Sequence, residues 1–274
     1  MMQFFSPAKI NLFLHIVGKR PDGYHDLQTI FQFLNYGDSM EFDVDRSGQI
    51  QRCYDYGFDE SVDINLKAAH LLRDSVAEPS LGVRISLTKR LPMGGGLGGG
   101  SSNAATTLKA LNQLWQLGLS QAKLLELGAR LGADVPIFVS GKAAWAEGIG
   151  DKLSAIELPT PWYVVLYPPV QVSTSAIFSH NHLTPHPQMK KIRALRSDQL
   201  MTTGSNDLEV IVRRLVKEVD QLIQWMNQFG QARMSGSGSC VFMPCDSKAA
   251  AQAVLDQRPS QVEGFVAQGL NEIN

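Results

Sequence analysis

Charge is scarce in this chain and almost balanced. Asp, Glu, Lys and Arg make up 19% of its 274 residues, and the formal net charge is −1. Gripping nucleic acid or an acidic membrane surface takes a basic excess, and none is present. Cysteine is equally sparse. Cys53, Cys240 and Cys245 are odd in number and lack metal-ligand spacing, so they are expected as free thiols in a reducing cytosol. No apolar run is long enough to span a bilayer. The opening residues, Met1-Met2-Gln3-Phe4-Phe5-Ser6-Pro7, carry neither the basic-then-apolar order of a secretory signal nor the Arg- and Ser-rich character of a transit peptide. Hydrophobic residues amount to 44%, enough for a sizeable core and against disorder. The expectation is a globular, cytoplasmic bacterial protein of one or two domains.

Against this background one stretch stands out. Pro92-Met93-Gly94-Gly95-Gly96-Leu97-Gly98-Gly99-Gly100-Ser101-Ser102-Asn103-Ala104-Ala105 is dominated by glycine. Glycine lets a backbone turn its N–H groups inward with no Cβ in the way. A helix start adds unpaired donors and a positive dipole end. Together they make an anion cradle, most often for phosphate. Glycine runs also serve as flexible linkers, but linkers have polar, aperiodic flanks. Here Val83-Arg84-Ile85-Ser86-Leu87 alternates like a strand ahead of the loop. Behind it Ala104, Leu108, Leu111 and Trp115 fall on one helical face.

The rest of the chain reads as alternating elements. Residues 8–17, 28–34 and 39–45 read as strands, and 64–75 as a helix. The helix after the glycine loop ends near Gly118, and Ser120 can cap another running to Arg130. Gly132-Ala133-Asp134-Val135-Pro136 reads as a tight connection into an apolar strand, Ile137-Phe138-Val139. Trp162 to Tyr167 is a further strand. Residues 179–205, rich in Pro, His and Lys, read as a long loop with some helix. There His180, His182 and His186 are loop residues rather than a metal cluster, and Lys190, Lys191, Arg193 and Arg196 a solvated face. Asn206 opens an amphipathic helix in which Leu208, Ile211, Val212, Leu215, Val219, Leu222, Ile223 and Met226 recur at three and four residues. Strand 231–235, the turn Gly236-Ser237-Gly238, strand 239–243, helix 247–257 and strand 264–270 follow. That order is β-α-β-β-α-β, the split βαβ of ferredoxin-like folds. The expected division is 1–155 and 156–274, two α+β domains.

Several phosphate chemistries do not match. A Walker A loop ends in Gly-Lys-Ser/Thr, and this loop has no lysine. Gly94, Gly96 and Gly99 satisfy the dinucleotide fingerprint, but its acidic ribose ligand belongs about twenty residues on, at a strand end. The first acid after the loop, Glu126, sits inside a predicted helix. Protein-kinase signatures are lacking.

Three separated motifs resemble the GHMP kinase superfamily. They are Ser6-Pro7-Ala8-Lys9-Ile10-Asn11-Leu12, the loop from Pro92 to Ala105, and Met234-Ser235-Gly236-Ser237-Gly238-Ser239-Cys240. Gly18-Lys19-Arg20-Pro21-Asp22-Gly23-Tyr24-His25, Gly132 to Pro136 and Ala146-Glu147-Gly148-Ile149-Gly150 narrow the resemblance, over nearly the whole chain, to the branch acting on 4-diphosphocytidyl-2-C-methyl-D-erythritol. The resemblance implies the two-domain GHMP kinase fold, an N-terminal mixed α/β domain followed by the ferredoxin-like one. It also implies ATP-dependent phosphorylation of the tertiary 2-hydroxyl of that acceptor, in the methylerythritol phosphate route to isoprenoid precursors. A homoserine- or mevalonate-type kinase, a dinucleotide oxidoreductase and an inactive ATP-binding module are the alternatives.

Residue roles follow from the resemblance. Lys9 falls on the catalytic lysine and Asp134 on the catalytic base; read alone, they are a surface lysine and a turn or capping aspartate. Asn11, two residues from Lys9 on one side of a strand, orients a hydroxyl. Tyr24 stacks on cytosine and His25 bonds its edge, with Phe178 as a second ring and Thr174 touching the acceptor. Pro92, Met93, Gly94, Gly95, Gly96, Leu97, Gly98, Gly99, Gly100, Ser101 and Ser102 wrap the ATP phosphates, with Asn65 near adenine. Gly236-Ser237-Gly238 lines the phosphate site or is a simple turn. ATP arrives with Mg²⁺, for which no protein ligand is assigned. The partner is a small molecule only, and the chain is expected as a monomer or weak homodimer.

Overall fold

The computed structural model describes residues 2–180 and 204–273. Most of the expected 179–205 loop, including His182, His186 and the basic run, lies outside the described residues. The chain divides into two compact units of interleaved stretches. The first is Met1–Ala8, Gly37–Leu91 and Gly98–Gly141, and the second Lys9–Tyr36, Pro92–Leu97 and Lys142–Asn274.

Strands β1 (Met2–Lys19) and β2 (His25–Asp45) pair with each other, and each contributes to both units. The two strands expected at 28–34 and 39–45 are thus one. Gly37 lies in the gap between the two expected strands. A Cβ there would lie 2.1 Å from the Ser6 carbonyl oxygen, so this glycine admits a close neighbouring strand and makes no turn.

In the first unit, the end of β2 pairs antiparallel with β4 (Gly82–Thr88), and β3 (Ile50–Arg52) lies parallel on β4. Four helices follow: α1 (Ile64–Val76), α2 (Gly99–Leu114), α3 (Gln121–Leu131) and α4 (Val135–Ser140). Asp63 caps α1 and Ser120 caps α3 through backbone N–H groups two and three residues on. Ala104, Leu108 and Leu111 of α2 are fully buried, as their spacing predicts. The strand expected at Ile137-Phe138-Val139 is instead the helix α4. Five consecutive apolar residues suit a buried strand and a buried helix equally. Pro136, at the first turn, carries the φ that starts a helix. Gly128 of α3 lets Val135 approach: a Cβ there would be 3.1 Å from Val135 Cγ1.

In the second unit, β10 (Glu263–Leu270) lies between the first half of β2 and β7 (Trp162–Tyr167), all antiparallel. Then come β9 (Val241–Cys245) and β8 (Arg233–Met234). β5 (Ala144–Glu147) pairs with β2 and with β6 (Lys152–Ala155). The helices are α5 (Thr174–Phe178), α6 (Glu209–Leu215), α7 (Lys217–Met226) and α8 (Lys248–Asp256). The order of β7, helices, β8, β9, α8 and β10 is the expected β-α-β-β-α-β. The single helix predicted from Asn206 is two, broken at Val216 (φ −127°, ψ 94°). Leu208, Ile211, Val212, Val219, Leu222, Ile223 and Met226 all enter one core with Val164, Leu166 and Met243, whereas Leu215, read in the same apolar period, is exposed next to the break. Each such buried side chain contributes about 1.5–3 kcal/mol. The strand expected at 231–235 is only Arg233–Met234.

All three cysteines are free. Among the described residues no helix is long and apolar enough to cross a membrane.

Candidate active site

Within the second unit, three segments far apart in sequence meet. Lys9 and Asn11, on one side of β1, are 2% and 3% exposed. The Lys9 backbone N–H donates to the Leu97 carbonyl at 3.0 Å. Its ammonium donates to the Gly96 carbonyl at 3.1 Å and to Asn11 Oδ1, and lies 5.3 Å from the centre of the Phe31 ring. The Asn11 amide donates to Thr29 Oγ1 at 2.8 Å. The Ser235 hydroxyl accepts from Asn11 N at 3.2 Å and donates to the Gly96 carbonyl at 3.0 Å. Cys240 N donates to the Gly95 carbonyl at 3.1 Å and closes the contact between loop and turn. Burying an ammonium costs several kcal/mol unless oxygen partners surround it. Here the loop and the neighbouring amide supply them.

Glycine is needed in this loop for its backbone. Gly96 has φ +77°, and Gly98 has φ +71° as the left-handed residue that opens α2. Gly95 is packed against Cys240, whose sulfur would lie 2.6 Å from a Cβ at residue 95. Burial pushes the Cys240 thiol far above its ordinary pKa, so it packs as a small hydrophobe.

The expected acceptor residues are also in the second unit. His25 is buried, with its ring centre 5.7 Å from that of Phe178. Burial first, and the Lys19 charge second, lower its pKa. Tyr24 is 58% exposed, the state of a ring open to stacking. Thr174 begins α5, and its hydroxyl is 2.7 Å from that of Ser237 in the glycine-serine turn.

The first unit holds the other part of the loop. Gly99, Gly100 and Ser101 form the first turn of α2, and Gly98 provides no side-chain cap. Their N–H groups are therefore open to an anion. Ser102 is fully buried and lies 2.8 Å from the Ser6 hydroxyl, so its side chain faces inward. Asn65 is 3% exposed; its amide donates to Tyr54 Oη at 2.9 Å, while its Oδ1 is buried without a hydrogen-bond partner. Asp134 precedes α4 at the cap position, yet makes no capping bond with its side chain. Among the described residues no group of three His, Cys, Asp or Glu is placed to hold a metal ion.

Sequence reasoning missed two anchors. Asp38, fully buried, accepts from Arg90 N at 2.8 Å and Leu91 N at 2.9 Å and pairs with the Lys89 ammonium. Lys89 Nζ lies beside the start of α2, 3.0 Å from a Cβ built at Gly99. No sequence spacing signals this pair. The second anchor is Asn206, whose amide donates to the Met234 and Gly236 carbonyls at 2.9 and 2.7 Å. Its place beside Asp207 ahead of an apolar period signals only a helix start.

Residues 63–142 match the family model described as GHMP kinases N terminal domain, and residues 187–264 that described as GHMP kinases C terminal. A protein of Marinobacter nauticus named 4-diphosphocytidyl-2-C-methyl-D-erythritol kinase is 49% identical over 97% of this chain and 93% of its own. One of the same name from Alkalilimnicola ehrlichii is 49% identical over 97% of this chain and 90% of its own. A crystal structure of 4-(cytidine 5'-diphospho)-2C-methyl-D-erythritol kinase superposes with a TM-score of 0.84 at 30% identity, covering 98% of this chain and 99% of that one. Identity of this extent, together with the meeting of strand, glycine loop and glycine-serine turn, places the chain in the 4-diphosphocytidyl-2-C-methyl-D-erythritol kinase family of GHMP kinases.

Proposed function

We propose that the protein transfers the γ-phosphoryl group of ATP, taken up as its Mg²⁺ complex, to the 2-hydroxyl of 4-diphosphocytidyl-2-C-methyl-D-erythritol. The observation that carries the reading is the Gly96 carbonyl held by both the Lys9 ammonium and the Ser235 hydroxyl. It fixes a positive charge against a loop suited to phosphate.

Roles follow for this chain's residues. Residues 92–102 bind the phosphates through backbone N–H groups, with Ser102 acting from behind. The Lys9 ammonium offsets charge on the transferring group, and Asn11, bonded to it, orients the acceptor hydroxyl. Asp134 takes the proton of the acceptor hydroxyl. The acceptor oxygen forms a bond to the γ-phosphorus as the bond to the β,γ-bridging oxygen breaks, and ADP leaves. Such transfers depend mainly on positioning and charge, so few side chains suffice. His25, Tyr24 and Phe178 hold the cytosine, and Thr174 the acceptor. Asn65, with a free carbonyl oxygen, serves the adenine. We read 1–155 as the ATP-binding and catalytic domain and 156–274 as the C-terminal domain. We also read the protein as a cytoplasmic monomer or weak homodimer, to be checked by sedimentation.

The test is ADP release with ATP and a panel of acceptors. Turnover with the diphosphocytidyl acceptor, and none with homoserine or mevalonate, is expected. The reverse pattern overturns the assignment.

A further inference from the structure

The geometry points to Asn206 as a positioning residue that sets the glycine-serine turn against the Lys9 strand. This rests on the reading of Lys9 and the glycine loop given above.

Residues 205–207 are held along β1. Leu14 N donates to the Ser205 carbonyl at 3.1 Å, and Asp207 N to the Leu14 carbonyl at 2.8 Å. Asp207 Oδ2 accepts from Ile16 N at 2.8 Å, and Ser205 N donates to His15 Nε2 at 3.2 Å. The segment therefore has a fixed register on the strand that carries Lys9 and Asn11. From this base, Asn206 reaches the other way. It is 6% exposed, and its amide donates to the Met234 and Gly236 carbonyls. Those two carbonyls bracket Ser235, whose hydroxyl bonds Gly96 and accepts from Asn11 N. Glu209 adds an acceptor for Met234 N at 3.0 Å. One amide thus ties the register of β1 to the residue that meets Lys9 at the Gly96 carbonyl.

A competing role is visible. Asn206 Oδ1 accepts from Leu208 N at 3.0 Å, a local bond at the entry of α6. Capping needs only that acceptor; positioning needs the two amide donors. Asn206→Asp keeps the acceptor, and aspartate caps as well as asparagine. It also sets a carboxylate oxygen against two carbonyls. Asn206→Ser keeps a capping hydroxyl, loses the donors and buries no charge.

Steady-state kinetics of the full chain and both variants, with ATP and the diphosphocytidyl acceptor, decide the matter, normalised to the folded fraction from thermal melts. Positioning predicts that kcat falls about 10- to 100-fold, because small displacements of catalytic groups cost that much. It also predicts a raised KM for ATP. A purely structural loss lowers apparent kcat with the folded fraction and moves neither KM. Should Asn206→Asp fail to fold, Asn206→Ser is read alone. Wild-type kcat and KM per folded molecule in Asn206→Ser overturn the proposal. A wild-type chain that does not phosphorylate the acceptor overturns the underlying reading instead.

Discussion

The Ser235 carbonyl leaves no room for a side chain at residue 96: a Cβ built on Gly96 would lie 2.1 Å from that oxygen. The backbone of Gly96 also has φ +77°, a region that costs an L-residue about 1–2 kcal/mol. Loop and turn are therefore fitted backbone against backbone. Gly96→Ala should separate them, and the Lys9 ammonium should lose its carbonyl partner. Turnover is expected to fall about 100-fold or more, with a higher KM for ATP. A variant with near-wild-type kinetics would show that the fit has no bearing on the reaction.

Lys9 and Asp134 are expected to act on the chemical step. Asp134→Ala should lower kcat by about 10²–10⁴-fold, the usual contribution of a general base. Lys9→Ala should lower it by about 10²–10³-fold. ATP affinity, measured by calorimetry, should stay near wild type in Asp134→Ala, because a base meets the acceptor and not the nucleotide. Wild-type turnover in either variant removes the role assigned to that residue.

The lowered pKa of His25 gives a pH dependence of definite sign. Burial and the Lys19 charge disfavour the imidazolium, so the folded pKa lies below the ordinary 6.5. The unfolded chain takes up this proton first as pH falls. The stability contribution of the neutral ring is thus intact above 6.5 and lost as pH drops through the folded value. On the proposed role of His25, the neutral ring would keep a lone pair for the cytosine edge. KM for the acceptor should be flat above pH 6.5 and rise below it, and His25→Gln should abolish that rise. A midpoint above 6.5 would contradict the assignment.

What the sequence discloses here is what short-range chemistry controls. Ser120 and Asp63 cap helices because the capping bond spans only two or three residues. The ferredoxin-like order follows from periodicity alone. The glycine loop and Lys9 were legible as separate motifs, but their meeting at one carbonyl is a tertiary fact. Hidden features involve packing partners that no local pattern names. Nothing local to Gly37 shows that it admits the Ser6 carbonyl. The residues of α4 look like a strand until Gly128 is seen to admit Val135. The break at Val216 escapes notice because one core receives both helices, while Leu215 beside it fits the apolar spacing and is nonetheless exposed. Asp38 and Asn206 bind backbone groups that no local pattern identifies.

The junction of β2, β7 and β10 offers a test of stability that is separate from the chemistry. Tyr163 and Gln32 are both fully buried. The Tyr163 hydroxyl donates to Gln32 Oε1 at 2.6 Å, while Gln32 Nε2 donates to the Pro159 carbonyl at 2.8 Å. Burial holds the Tyr163 phenol far above its ordinary pKa, so it remains a donor at every working pH. Tyr163→Phe removes that donor and strands the glutamine oxygen in the core. The expected cost is about 1–3 kcal/mol in denaturant unfolding, with the slope unchanged. Replacing Gln32 by Leu as well removes the stranded oxygen, though it leaves the Pro159 carbonyl without its donor. The double variant should therefore recover part of the loss. A cost in Tyr163→Phe below about 0.5 kcal/mol, the lower edge for a hydrogen bond, would mean that this bond adds little to the sheet.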